Sequence, residues 1–126
     1  MKILDTEIEF DFYDAEQMEK FEKHIDIASQ ELNNISVNKI KQSEFIKKVC
    51  SIVEKCFNNI FGEEISLKIF KGKKNFHLCI KAFKDLVKAR LEQENIVEKE
   101  IDELQREMTE ASTKYSPNRA TRRAKK

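Results

Sequence analysis

Cys50, Cys56, Cys79, His24 and His77 are the side chains best suited to hold a metal or attack a substrate, and their spacing speaks against both. Structural zinc sites draw on thiols two to four residues apart. Here Cys50 and Cys56 are six apart in a segment of helical pattern, which sets them on different faces of one helix. All three thiols occupy apolar periodic positions, where a free cysteine behaves as a small buried hydrophobe. Their odd number, in a chain whose start lacks the apolar segment of a signal peptide, makes disulfides unexpected. Neither histidine has a serine, cysteine or carboxylate spaced to form a nucleophile and base. The doublets Glu63-Glu64 and Asp102-Glu103 read as helix capping and solubility. Gly62 and Gly72 are too far apart to build a phosphate-cradling loop. The expectation is a protein with no catalytic residue, no metal and no cofactor, one that works by binding.

The elements that would carry such binding are mainly helical. Two glycines, one proline and 37% charged residues suit helices and starve a β-sandwich of turns. Ile8, Phe10 and Phe12 alternate with Glu7, Glu9 and Asp11, so the first dozen residues read as a short hairpin turning at Asp5-Thr6, with one apolar face. Asp14 caps a first helix running to Asn33, and Gln17 stands where a capping box would place it. Met18, Phe21, Ile25, Ala28 and Leu32 form that helix's stripe. A second helix, from about Asn38 to Phe61, has the widest apolar stripe and marks the central element, and Gly62 suits a left-handed cap at its end. Residues 63–70 fit a short helix using Ile65, Ile69 and Phe70.

Asn75 can cap a last helix from Phe76 to about Ser112, near 55 Å long at about 1.5 Å per residue. A heptad register fits Phe76, Ile80, Phe83 and Val87, breaks at Arg90 and Glu94, and resumes with Val97, Ile101, Leu104 and Met108. The division expected is therefore a helical core domain over residues 1–91 and a projecting or folded-back helix over 92–113. A basic tail over 114–126, too poor in apolar surface to fold alone, should remain disordered. The second half of the last helix wants a partner, either itself, reversed at residues 92–95, or a second copy.

Near-neutrality conceals four alternating blocks of charge. Residues 1–35 carry ten acids and three bases, residues 36–91 five acids and thirteen bases, residues 92–113 eight acids and two bases, and residues 114–126 six bases. Opposite blocks attract within or between chains over about 8 Å at physiological salt; a drift in composition among solvated faces would look the same. Lys71-Gly72-Lys73-Lys74, flanked by Phe70 and Phe76, could touch phosphates, although the two aromatics are expected to anchor the loop to the core. Nucleic-acid binding by this loop and the tail arginines is the less favoured reading, because the acidic block lies between them. No apolar run approaches the roughly 20 residues of a membrane span, so a cytoplasmic protein without a membrane partner is expected.

Three segments together resemble a family of small tail-module proteins of phages and prophages of low-GC Gram-positive bacteria. They are Glu7-Ile8-Glu9-Phe10-Asp11-Phe12-Tyr13-Asp14-Ala15-Glu16-Gln17-Met18-Glu19-Lys20-Phe21, Phe57-Asn58-Asn59-Ile60-Phe61-Gly62 and Tyr115-Ser116-Pro117-Asn118-Arg119-Ala120-Thr121-Arg122-Arg123, in order over most of the chain. The last of these also recurs at the ends of many small phage proteins. The resemblance implies a tail assembly chaperone or a close relative. Such proteins bind the long, helical tape measure protein, recruit tail tube subunits and leave as the tube polymerises. The chain departs from the pattern in showing no extension of the kind that some of these chaperones gain by translational frameshifting.

On this reading the partner surface comprises exposed parts of the stripes around Phe21, Phe45 and Ile101, extended by Val97, Leu104 and Met108, with Arg119, Arg122 and Arg123 in the tail. The expected partners are tape measure and tail tube proteins and a second copy of the chain, in the host cytoplasm. The alternative is a nucleic-acid-binding or regulatory phage protein that uses its basic tail.

Overall fold

The computed structural model describes residues 1–36 and 39–115, and side-chain surroundings as far as Ser112. It is mainly helical, with a small hairpin, β1 (Lys2–Ile3) and β2 (Thr6–Glu7), followed by α1 (Ala15–Asn33), α2 (Gln42–Phe61), α3 (Glu63–Phe70) and α4 (Phe76–Tyr115). Residues Met1–Leu91 form one compact unit, and a second begins at Glu92.

The hairpin is antiparallel, pairing Lys2 with Glu7 and Ile3 with Thr6. Its turn is Leu4-Asp5, one residue earlier than the sequence suggests, and Leu4 adopts φ +53°. The ladder extends to Met1, whose carbonyl accepts from Ile8 N at 2.7 Å. Beyond Ile8 no cross-strand partner is found among the described residues. The inward alternation nonetheless holds, with Ile8 buried, Phe10 and Phe12 half-buried, and Glu9, Asp11 and Tyr13 outside. Period two here records an extended segment laid on a core.

Asp14 caps α1 as its side chain accepts from Gln17 N at 3.0 Å, an arrangement worth about 1 kcal/mol. Gln17 closes no reciprocal box, because its Oε1 takes the Asp11 N–H instead, at 3.3 Å. That choice binds the extended segment to the start of the helix. The α2 helix starts at Gln42, four residues later than expected. Lys41 is extended, with ψ 150°, and offers no side-chain cap, so Ile40 stays outside the helix.

Gly62 ends α2 with its N–H on Asn58 O at 2.9 Å, yet at φ +96° and ψ 162° it is not the left-handed cap that the sequence suggests. The chain must turn at once into α3, and this mirror-extended region is open almost only to glycine. The left-handed cap falls to Lys71 instead, at φ 54° and ψ 31°. Asn75 caps α4 through Oδ1, which accepts from Leu78 N at 3.0 Å.

The core of the first unit brings together Ile3 and Ile8 of the N-terminal segment, Phe21, Ile25 and Ala28 of α1, a row along α2 from Val49 to Ile60, Ile69 and Phe70 of α3, and Cys79, Ala82 and Leu86 of α4. Aromatic rings knit it. Phe21 lies 5.3 Å from both Phe10 and Phe12, Phe10 lies 5.4 Å from Phe61, and Phe57 lies 5.2 Å from Phe70. Edge-on and tilted pairs of this kind add about 0.5–1.5 kcal/mol each beyond area burial. All three cysteines are buried. Cys50 and Cys56 lie on different parts of α2, whose stripe is wide enough to cover both.

Candidate partner-binding surface

Val97, Ile101, Leu104 and Met108 stand on α4 at spacings of four, three and four residues, which places them in one row along the helix. Each is between 42% and 61% exposed, and Ile96 beside them is exposed as well. Acids flank the row throughout, with eight acidic and two basic residues over 92–113. Burying such a side chain from full exposure is worth about 1.5–3 kcal/mol; with about half of each already covered, roughly half of that remains to be gained, and four in line form an apolar strip of the kind that can anchor another helix. Residues 92–95, where a reversal was one alternative, are helical within α4.

The first unit carries a second apolar face, on the early turns of α4. Ile80, Phe83 and Val87 are half-buried there and Leu91 is 56% exposed. Together with Lys81, Lys84 and Lys88 they line an open groove of about 610 Å³. All of these residues lie on α4, and Asp85 stands among the three lysines, so the strip is apolar at its floor and net basic at its edge, where the row over residues 97–108 is edged by acids. Phe45 of α2 is half-buried, with its ring 6.0 Å from that of the exposed Phe76.

Phe21 does not belong to any surface. It is 0% exposed, enclosed by Phe10 and Phe12, and the expectation that it binds a partner is corrected. The N-terminal segment covers its ring, and Ile25 and Ala28 of the same stripe are buried in the core of the first unit. Arg119, Arg122 and Arg123 lie outside the described residues.

A match to the family of unknown function DUF6673 spans residues 4–126. The chain belongs to that family. No curated protein and no solved structure matches it significantly, so the function of this DUF6673 member has to be read from its own surfaces.

Its polar chemistry is modest. Lys68, Lys71, Lys73, Lys81 and His77 line a cavity of about 650 Å³ whose wall also holds Asp5 and Asp85. Lys74, the fourth member of the basic loop, is held by Glu54 Oε1 at 2.6 Å. Phe70 anchors this loop in the core as expected, whereas Phe76 lies largely at the surface. The Cys56 thiol donates to His24 O at 3.5 Å, and burial pushes its pKa up to about 12. The Cys79 pKa is also raised, first by burial and then by the neighbouring Cys50. Partial burial and the charges of Lys23, Lys20 and Lys55 lower that of His24. No three His, Cys, Asp or Glu side chains converge as a metal would need, among the described residues. No helix there is long and apolar enough to cross a membrane.

Sequence periodicity found the row over residues 97–108. It missed Leu91 and the basic rim, because a lysine beside a core helix looks like any solvated lysine until the groove beneath it is seen.

Proposed function

We propose that this DUF6673 protein is a binding protein of the tail assembly chaperone kind, acting in the host cytoplasm on the tape measure protein, on tail tube subunits, or on both. The observation that carries the reading is the exposed row Val97, Ile101, Leu104 and Met108. A row of this spacing seats an amphipathic helix through apolar anchors while its acidic margins remain in water. The tape measure protein that the resemblance implies is long, helical and aggregation-prone, and amphipathic helices of that kind would offer such faces.

The resemblance of the N-terminal, central and C-terminal segments to phage tail-module proteins supplies the choice of partner. Four anchors on one helix make a small interface, which suits a helper that must leave as the tube grows. No bond-making chemistry enters this reading.

Co-expression with the tape measure protein encoded beside the gene tests it. The expected result is a soluble complex that survives size-exclusion chromatography and is lost in an Ile101→Glu, Leu104→Glu double variant. A tape measure protein that remains insoluble beside abundant, folded wild-type chain would overturn the proposal.

A further inference from the structure

We infer that two copies of this chain pair through antiparallel α4 helices, with the acidic apolar row of each copy seated in the basic-rimmed groove of the other. The inference goes beyond the tail-assembly reading and stands without it, since it needs no other protein; because it buries the same row, the dimer and a complex with a tape measure helix exclude each other, and the pair must open before the row can take that helix.

Complementarity carries the argument. The groove presents Ile80, Phe83 and Val87 between lysines, and the row presents Val97, Ile101 and Leu104 between acids. Attraction between the two surfaces of different copies is mutual, so one docking event makes two identical contacts. This is the isologous geometry of a two-fold dimer. The helix that bears both surfaces is continuous from Phe76 to Tyr115; its heptad register permits antiparallel alignments one heptad apart, and of these the one with its dyad at residue 92 brings the lysines beside the acids. In antiparallel pairs each first-type seam position meets a second-type one. With the dyad at residue 92, Val87 faces Val97, Phe83 faces Ile101 and Ile80 faces Leu104. The two polar interruptions of the seam then fall opposite each other, Glu94 of one copy across from Arg90 of the other, whose guanidinium is already held by Asp26 Oδ1 at 2.9 Å and adds nothing to the pairing.

Beside the seam the same alignment sets Lys84 next to Glu98 of the second copy, twice per dimer. A parallel pairing would instead stack groove on groove and acid on acid. Charge order along α4, basic early and acidic late, thus works against the parallel arrangement as well as for the antiparallel one.

Sedimentation equilibrium of the full chain, with Lys84→Glu, Glu98→Lys and the double variant, tests the inference. Both positions are exposed, so folding should be unchanged by circular dichroism. Wild type is expected to be a dimer. Each single change should weaken it roughly tenfold by creating two like-charge pairs, and the double change should restore it. A wild type that stays monomeric to about 100 µM, well above the affinity expected for such a paired interface, overturns the dimer. Dimers that ignore the single changes, or that the double change fails to rescue, overturn the alignment. None of these outcomes depends on a tail protein, so they are distinguishable from failure of the chaperone reading.

Discussion

Leu4 donates its backbone N–H to Asp85 Oδ2 at 2.9 Å, joining residues 81 apart in the chain. The donor sits at the tip of the N-terminal hairpin in a positive-φ conformation, φ +53°, which a branched-chain residue adopts only when its surroundings insist. Asp85, on α4, supplies that insistence with a charged acceptor at a partly buried site. Replacing it with alanine strands the N–H, and hydrogen bonds to charged groups are worth about 1.5–3 kcal/mol. For a unit of this size Asp85→Ala should therefore lower the melting temperature by on the order of 10 °C. Asp85→Asn keeps an oxygen acceptor and should lose less than half as much. Thermal denaturation followed by circular dichroism reads both, and an unchanged Asp85→Ala melt would mean that the hairpin tip is held by something else.

Gly62 offers a cleaner case of backbone strain. An added Cβ would meet nothing within 4 Å, so space is not at issue. The backbone is, since φ +96° with ψ 162° is a region that side chains rarely enter. Gly62→Ala should cost about 1–3 kcal/mol, reduced by the smaller entropy that alanine has in the unfolded chain. Gly62→Ser should cost about the same, because the penalty does not grow with size. Urea titration should show both variants with a lower midpoint and an unchanged slope.

What could be read from the residues beforehand follows the range of the forces involved. The limits of α1 were legible because Asp14, Gln17 and the stripe from Met18 to Leu32 are local signals. The extended segment was half legible: alternation showed that Ile8, Phe10 and Phe12 turn inward, but whether a strand lies beside them is a long-range question. Phe21 misled for the same reason. A helical stripe looks identical whether solvent or a folded-back terminus lies on it, and only the contacts with Phe10 and Phe12 decide. Gly62 announced a stop without its geometry, which is set by how soon α3 must begin. The row from Val97 to Met108 was legible as a heptad, while the lysine-edged strip on the early turns of α4 emerged only when Cys79, Ala82 and Leu86 were seen to take the core side and leave Ile80, Phe83 and Val87 half-buried.

Phe21 and Leu104 should separate folding from binding. Truncating a fully buried phenylalanine costs about 3–5 kcal/mol, a large share of what a unit of this size has in hand. Phe21→Ala should give a protein that is largely unfolded or melts far below wild type. Leu104→Ala removes an exposed side chain and should move stability by no more than about 0.5 kcal/mol, yet it should weaken association. Parallel melting and sedimentation runs on the two variants check this. A Leu104→Ala chain that associates like wild type would remove this residue from the surface.

The buried thiols make stability sensitive to alkaline pH. In the unfolded chain a cysteine ionises near pH 9, whereas burial in the fold pushes Cys56 up to about 12 and raises Cys79 as well. Between those values the unfolded chain gives up protons that the folded chain keeps, so raising the pH favours unfolding. The stabilising difference is intact below about pH 8.5 and is lost as pH rises through the window from 9 to 12. Each such thiol can contribute up to about 1.4 kcal/mol per pH unit there. Melting temperature should be flat from pH 7 to 8 and fall steadily from pH 9 to 10.5, and Cys56→Ala should flatten part of that fall. The same burial should shield the thiols from a disulfide reagent such as DTNB at pH 8 until denaturant is added. Rapid modification of a folded sample at that pH would show that the core opens far more readily than its packing implies.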